Sequence, residues 1–146
     1  MTRIHHANIR VADPVKSVAF YRTLGLEHTG TLSMGPGYTL LYMTDGDELA
    51  LELVANDTTD PAYDRSTGSG HLALEVDDLD ATLAALREAH GTEPEAAPFH
   101  PGGRTDLNKV AFVRDPDGVR LELLQAAWPI PHDPLPAELQ TLASPS

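Results

Sequence analysis

Two stretches of the sequence decide the fold, IHHANIRVAD at residues 4–13 and GHLALEVDD at residues 70–78. In each stretch polar and apolar residues alternate as in a β-strand, and an aspartate follows where a helix can begin. The two stretches correspond at an offset of 65 residues, which places His6 on His71. The sequence therefore predicts an internal repeat, in which one structural unit occurs twice.

The parts that follow these stretches also correspond. Each half continues into a hairpin whose turn is an Asp-Gly pair, at 45–46 and at 117–118. The strand after each turn carries a glutamate among apolar residues, Glu52 in LALELVAN and Glu122 in VRLELLQA. We therefore predict an α+β fold made of two tandem βαβββ modules.

The predicted boundaries follow from this repeat. We expect a single domain over residues 1–127, with modules at 1–57 and 70–127 and a linker over 58–69 that is rich in Thr, Ser, Asp and Gly. Residues 128–146 carry five prolines and no sheet pattern. They predict a loosely packed C-terminal extension, or a strap that lies on a partner chain.

Composition excludes several classes of function. The 22 acidic residues outnumber the 10 basic ones, and a formal net charge of -12 argues against nucleic-acid binding. The absence of cysteine leaves histidines and carboxylates as the strong metal ligands. No apolar run approaches the roughly 20 residues that cross a bilayer, and no export signal follows Met1. We expect a soluble, cytoplasmic protein that binds neither nucleic acid nor membrane.

The repeated histidine and glutamate positions form a candidate metal site. A single strand histidine is usually structural and a single strand glutamate usually faces solvent, but here both recur in both halves. Two such modules related by a pseudo-twofold axis bring two imidazoles and two carboxylates around one point. That donor set suits Zn²⁺, Ni²⁺, Co²⁺ or Mn²⁺. The predicted ligands are His6, Glu52, His71 and Glu122.

The motifs IHHANIRVADPVKSVAFY, LALELVAN, GHLALEVDD and KVAFVRDPDGVRLELL resemble those of the vicinal oxygen chelate superfamily, which has the glyoxalase/bleomycin resistance/dioxygenase-like fold. Within it they are similar to the short bacterial form of glyoxalase I, or lactoylglutathione lyase, over residues 3–126. The resemblance implies the same four metal ligands. It sets His5 aside, because the His5 side chain faces the other way. Epimerases of the superfamily usually have glutamine at the position of Glu52.

The resemblance implies a reaction. Glyoxalase I moves a proton between adjacent carbons of the hemithioacetal of a thiol and methylglyoxal, through an enediolate. A divalent ion, Ni²⁺ or Co²⁺ in preference to Zn²⁺, acts as Lewis acid. Glu122 is implied as the principal base and Glu52 as the alternative base. Arg10 and Asn56 are implied to bind the γ-glutamyl end of glutathione; otherwise Arg10 forms a salt bridge to Glu75 and Asn56 is a turn residue.

The resemblance also implies a symmetric homodimer with metal sites at its interface, in which His6 and Glu52 of one subunit meet His71 and Glu122 of the other. The thiol stays open between glutathione, mycothiol, bacillithiol and no thiol at all. Two other functions also stay open: a metal-dependent lyase or isomerase acting on a different chelating substrate, and a protein that sequesters a small molecule such as a drug. Sequestration does not need four retained ligands.

Overall fold

The structure of the chain, a computed structural model, describes residues 2–46, 50–56 and 68–143. These residues fall into two compact units. Unit 1 contains residues 2–6 and 71–129, and unit 2 contains the described residues between 7 and 70 together with 130–143. Each unit therefore combines segments that are distant in the sequence.

The described elements include seven strands and two α-helices, in agreement with the predicted α+β class. In chain order they are β1 (Arg3–Val11), α1 (Pro14–Thr23), β2 (Glu27–Ser33), β3 (Tyr38–Thr44), β4 (Ala50–Asn56), β5 (Gly68–Val76), α2 (Leu79–His90), β6 (Val110–Arg114) and β7 (Arg120–Gln125). Short 3₁₀ helices lie at Pro101–Gly103 and Ala137–Ala143. Within the described ranges, neither α-helix is long and apolar enough to cross a membrane.

Both α-helices begin where the sequence predicts. The Asp13 carboxylate accepts two backbone N–H groups of the first turn of α1, at 3.1 and 3.2 Å, and Pro14 is the first helical residue. The Asp78 carboxylate accepts the N–H of Ala81 at 3.0 Å. Gly91 ends α2 with φ at 67°, a left-handed conformation that favours glycine. The repeat is therefore confirmed at the level of the helix caps.

Unit 2 is built on a ladder of β2, β3 and β4, which pair antiparallel in that order, with β1 next to β4. The register across β3 and β4 sets Tyr42 opposite Glu52. Unit 2 has an apolar core of its own, which includes residues from α1, β3, β4 and the C-terminal 3₁₀ helix. The buried members are Val18, Leu41, Met43, Leu53, Leu139 and Leu142.

Unit 1 contains the order β5-β7-β6, in which β7 runs parallel to β5 and antiparallel to β6. Among the described residues the second half differs from the prediction in one strand. Residues 95–99 lie beside β6 and bond to it at Glu95 and Phe99, but they form no continuous ladder. Pro98 has no N–H to donate, so residues 95–99, the first of the three strands expected after α2, form only separate hydrogen bonds.

The C-terminal segment packs in unit 2, so the expectation of a loosely packed extension is wrong. The Leu139 and Leu142 side chains are 6% and 4% exposed. The N–H of Thr31 donates to the carbonyl of Pro131 at 2.8 Å, and the N–H of Asp133 donates to the carbonyl of Thr31 at 2.9 Å. Prolines remove a strand pattern from a sequence, but they keep their carbonyl acceptors, and the leucines still bury apolar area.

This packing predicts a specific loss of stability. Leu139→Ala should lower the free energy of unfolding by about 2–4 kcal/mol, because it leaves a cavity in the core of unit 2. Leu24→Ala is the matched control, since the Leu24 side chain is 66% exposed, and it should change the free energy by less than about 0.5 kcal/mol. Chemical denaturation of the full chain measures both values. Equal effects of the two variants would contradict the packing of the C-terminal segment.

Candidate metal centre

Three side chains with metal-binding groups converge in unit 1. His6 comes from β1, His71 from β5 and Glu122 from β7. The Nε2 atoms of the two histidines lie 3.3 Å apart. The Oε1 atom of Glu122 lies 3.4 Å from His6 Nε2 and 3.7 Å from His71 Nε2. The chain thus gathers one potential ligand atom from each of three strands.

The register of the strands explains this convergence. The parallel pairing of β5 and β7 sets Glu122 beside Ala73. His71 is two residues from Ala73 and therefore points to the same face of the sheet. The same alternation along β1 was the reason for predicting His6 rather than His5 as the ligand.

The three atoms fit a single divalent ion. Nitrogen and oxygen ligands at about 2.0–2.1 Å from a tetrahedral ion are separated by about 3.3 Å, close to the spacing found here. Two imidazoles and one carboxylate are ligands that Zn²⁺, Ni²⁺ and Co²⁺ accept. The side chains are largely buried, with exposed fractions of 1% for His6, 9% for His71 and 12% for Glu122. The residues present therefore suit a metal ion whose remaining coordination positions can be taken by water or substrate.

An aromatic and an ion pair support the His71 ring. The Phe112 ring meets the His71 ring edge to face, with centroids 5.2 Å apart. The Arg120 guanidinium lies 3.8 Å above the centroid of Phe112 and donates to the Glu95 carboxylate at 3.0 and 2.9 Å. Hydrogen bonds from Arg120 hold the pKa of Glu95 below its usual value. The imidazole is thereby packed against a side chain that an ion pair holds in place.

His5 is a neighbour of the cluster that sequence reasoning set aside. The His5 side chain is 3% exposed, and its Nδ1 lies 2.8 Å from His6 Nδ1. The other ring nitrogen, Nε2, lies 3.0 Å from the backbone carbonyl of Trp128. The sequence signal for this contact was the pair of successive histidines on β1. It was not used, because alternation along a strand predicts that neighbouring side chains point to opposite faces.

Glu52 belongs to unit 2, where its carboxylate is buried and hydrogen-bonded at both oxygens. The side-chain amide of Asn8 donates to Oε1 at 2.7 Å, and the hydroxyl of Tyr42 donates to Oε2 at 2.5 Å. These bonds compensate the cost of burying the charge. The sequence did not single out Tyr42, although the hairpin register places it opposite Glu52. The role of Glu52 as a fourth ligand stays a prediction.

Arg10 and Asn8 lie close to Gly70 in unit 2. A Cβ atom at Gly70 would fall 2.0 Å from Asn8 Oδ1 and 3.2 Å from Arg10 Nη1, so glycine makes room for both side chains. The backbone of Asn56 lies opposite Tyr38 across β3 and β4. The Asn56 side chain lies outside the described residues. The substrate-binding roles of Arg10 and Asn56 stay predictions.

The location of the cluster bears on the expected assembly. We predicted that His6 of one subunit meets His71 of another, and this interface site stays a prediction; within the single chain, His6 and His71 face each other at 3.3 Å. The reason is that the first residues of β1 fold with β5 and β7 in unit 1. The homodimer itself stays a prediction, and the molar mass of the native protein in solution decides it.

The sequence of the chain is similar to a family of known proteins. The family model described as Glyoxalase/Bleomycin resistance protein/Dioxygenase superfamily matches residues 3–123. The probable lactoylglutathione lyase of Vibrio parahaemolyticus is 38% identical over 128 residues, which cover 84% of this chain and 90% of the relative. The lactoylglutathione lyase of Haemophilus influenzae is 37% identical over 129 residues, covering 84% of this chain and 92% of the relative.

A solved structure gives a second comparison. A Streptomyces coelicolor methylmalonyl-CoA epimerase in complex with 2-nitronate-propionyl-CoA matches with a TM-score of 0.68 and 27% identity, covering 90% of this chain and 99% of that chain. The sequence relatives and this structural neighbour therefore carry different activities on a shared fold.

The cluster predicts metal binding that depends on its histidines. The wild-type chain should bind one Co²⁺ ion with high affinity, and His6→Ala or His71→Ala should weaken binding by about 100-fold or more, because each removes a ligand. Isothermal titration calorimetry on chelator-treated protein measures this. His100→Ala is the control, since His100 Nδ1 contacts the Leu107 carbonyl at 2.7 Å and His100 is not one of the three residues of the cluster. Unchanged binding by both cluster variants would remove the site.

Proposed function

Because the chain belongs to the Glyoxalase/Bleomycin resistance protein/Dioxygenase superfamily and is an enzyme of the lyase type, we propose that it is a metal-dependent glyoxalase I. It would isomerise the hemithioacetal of a thiol and a 2-oxoaldehyde such as methylglyoxal to a 2-hydroxyacyl thioester. The observation that carries the proposal is the cluster of His6, His71 and Glu122, in a chain whose sequence relatives are lactoylglutathione lyases.

The reaction requires removal of a proton from carbon, which is unfavourable without stabilisation of the resulting negative charge. A divalent ion held by the cluster would supply a Lewis acid for the two adjacent oxygens of the substrate. His6 and His71 would hold that ion through Nε2, and Glu122 would hold it through Oε1. Glu52 is proposed as a further ligand on the strength of the internal repeat.

The environments of the two glutamates favour Glu122 as the base. A base that carries a proton between adjacent carbons must turn its oxygen from one carbon to the other. Both oxygens of Glu52 accept hydrogen bonds that hold its carboxylate in place. Glu122 is more exposed, and its Oε1 lies among the ligand atoms. The Glu122 carboxylate would let go of the ion when substrate arrives, and it would then take the proton from C1 and return it at C2.

The ion itself is proposed from the chemistry of the donors. Imidazole nitrogen and carboxylate oxygen suit Ni²⁺, Co²⁺ and Zn²⁺, and the chain has no thiolate that would select zinc. We favour Ni²⁺ or Co²⁺ as the activating ion. Zn²⁺ can still occupy the site in a purified sample, because its affinity for such ligands is comparable.

A metal-dependent reaction on a different chelating substrate is the competing function. The match to an epimerase structure supports it. The position of Glu52 argues against it, because the epimerases usually have glutamine there. The amide of Asn8 and the hydroxyl of Tyr42 point one donor at each oxygen of Glu52, which suits a carboxylate. Sequestration of a small molecule would leave the ligand cluster without a role.

An activity assay tests the proposed function directly. The protein should convert the hemithioacetal of methylglyoxal with at least one of glutathione, mycothiol or bacillithiol. Chelation should abolish the activity, and Ni²⁺ or Co²⁺ should restore it. Racemisation of methylmalonyl-CoA is measured in parallel. Full activity in a verified metal-free sample would contradict the metal dependence, and epimerisation without glyoxalase activity would favour the competing function.

The assignment of the base predicts a separation of metal binding from turnover. Glu122→Gln should keep much of the bound metal but lower kcat by about 10²–10⁴-fold, since an amide can coordinate but cannot accept the proton. Glu52→Gln should lower kcat less. Glu88→Gln, an exposed position on α2, is the control and should leave kcat unchanged. Near-normal turnover by Glu122→Gln would move the base to Glu52 or to a water molecule.

We also propose that Arg10 and Asn56 bind the charged end of the thiol. Arg10→Ala and Asn56→Ala should raise KM for the glutathione adduct by about tenfold or more, with little change in bound metal, because each removes a hydrogen bond to a charged group. Lys16→Ala, on the exposed face of α1, should leave KM unchanged. If neither variant alters KM, the thiol binds elsewhere.

A further inference from the structure

A buried chain of contacts leads from the metal cluster to the backbone behind it. His6 Nδ1, the ring nitrogen that does not face the cluster, lies 2.8 Å from Nδ1 of His5. His5 Nε2 lies 3.0 Å from the carbonyl oxygen of Trp128. His5 and His6 are 3% and 1% exposed, so these contacts are made away from bulk water. All three residues belong to unit 1.

If His5 and His6 are both neutral, the two contacts just described allow one placement of the ring hydrogens. A carbonyl oxygen can only accept, so His5 Nε2 must carry the hydrogen that it donates to Trp128. Nδ1 of a neutral His5 is then an acceptor, and the hydrogen between the two rings must belong to His6 Nδ1. The remaining nitrogen of His6, Nε2, keeps its lone pair. That lone pair faces His71 and Glu122.

The reverse arrangement is unfavourable. If His6 carried its hydrogen on Nε2, His5 would have to donate from Nδ1, and the lone pair of His5 Nε2 would face the Trp128 carbonyl at 3.0 Å. Two buried acceptors would then face each other without a hydrogen between them, and a buried polar group left unsatisfied in this way destabilises the arrangement. His6 would also present a hydrogen instead of a lone pair to a metal ion.

The Trp128 peptide is held in place, so its carbonyl is a fixed hydrogen-bond acceptor for His5 Nε2. Its N–H donates to Glu75 Oε1 at 2.7 Å, and the Arg3 guanidinium binds Oε2 of the same carboxylate. Burial raises the pKa of Glu75, but the hydrogen bonds from Arg3 and Trp128 and the positive charge of Arg3 outweigh it and leave the pKa below its usual value. Glu75 therefore stays an acceptor at neutral pH.

We propose that His5 is a positioning residue that holds His6 in the Nδ1–H tautomer and so presents the Nε2 lone pair to a divalent ion. The proposal rests on the metal site assigned above and adds a residue to it. A second imidazole behind a ligand imidazole serves the purpose that a carboxylate or a carbonyl serves in many metal sites, where such partners set ring orientation and tautomer.

The first experiment reads the tautomers in the metal-free full chain. Long-range ¹H–¹⁵N correlation spectra of ¹⁵N-labelled protein distinguish protonated from unprotonated ring nitrogens. We expect His6 with hydrogen on Nδ1 and His5 with hydrogen on Nε2. Any other assignment for either ring overturns the proposal. Because no variant, ion or substrate is needed, this measurement does not depend on the folding of a mutant or on catalysis.

The second experiment measures the consequence for metal affinity. His5→Leu removes both hydrogen bonds while keeping an apolar side chain in a buried position, and should weaken Co²⁺ binding by about 10- to 100-fold. His5→Asn should restore most of the affinity, because Oδ1 can accept from His6 Nδ1 where the His5 ring nitrogen did. His100→Leu is the control and should bind as the wild type does. Wild-type affinity in His5→Leu overturns the proposal.

The two proposals fail separately. If the tautomers and the affinities are as expected but the protein lacks glyoxalase activity, the proposed function is wrong and the role of His5 stands. If the protein is an active glyoxalase but His6 carries its hydrogen on Nε2 in the metal-free state, the role of His5 is wrong and the function stands.

Discussion

Two imidazole nitrogens that face each other at 3.3 Å in a buried position are unfavourable unless a hydrogen or a cation lies between them. The chain brings His6 and His71 together across 65 residues of sequence, and it adds the Glu122 carboxylate at 3.4 and 3.7 Å. Such an arrangement has to be maintained by its surroundings. The register of β5 and β7 places Glu122, and Phe112 packs against His71.

The features that the sequence predicted correctly depend on short-range rules. An aspartate before a helix caps it because the carboxylate reaches N–H groups two or three residues away, and this holds for Asp13 and Asp78. Alternation along a strand identified His6 and His71 as a matching pair, because the repeat placed them at equivalent points. The convergence of these two with Glu122 needed only the repeat and the period of a strand.

The features that the sequence did not predict depend on contacts between distant residues. Tyr42 was unremarkable until the register set it opposite Glu52, and His5 was set aside because alternation describes the direction of Cβ and not the reach of an imidazole. Residues 95–99 form no continuous ladder with β6, because Pro98 has no N–H to donate. The packing of the C-terminal segment was not predicted, because a segment that contributes single leucines and carbonyls to a neighbouring core shows no strand or helix periodicity in its sequence.

Internal repetition in the sequence does not imply equal environments. Glu52 and Glu122 occupy equivalent positions in the two halves, yet one is buried between two hydrogen-bond donors and the other lies partly exposed among imidazole nitrogens. Divergence of this kind lets two carboxylates of one repeat take different chemical roles. The local partners, Asn8 and Tyr42 on one side and His6 and His71 on the other, make the difference.

The composition of unit 2 bears on how the protein forms during translation. Its core includes Leu139 and Leu142, and its β2 strand bonds to Pro131 and Asp133, all of which leave the ribosome after every strand of unit 1 has been synthesised. The first half of the chain therefore emerges with an incomplete apolar core and has to wait for the distant segment. Domains usually fold in the order in which they are made. Here most of the first half of the chain, from residue 7 onward, belongs to the unit that is completed last.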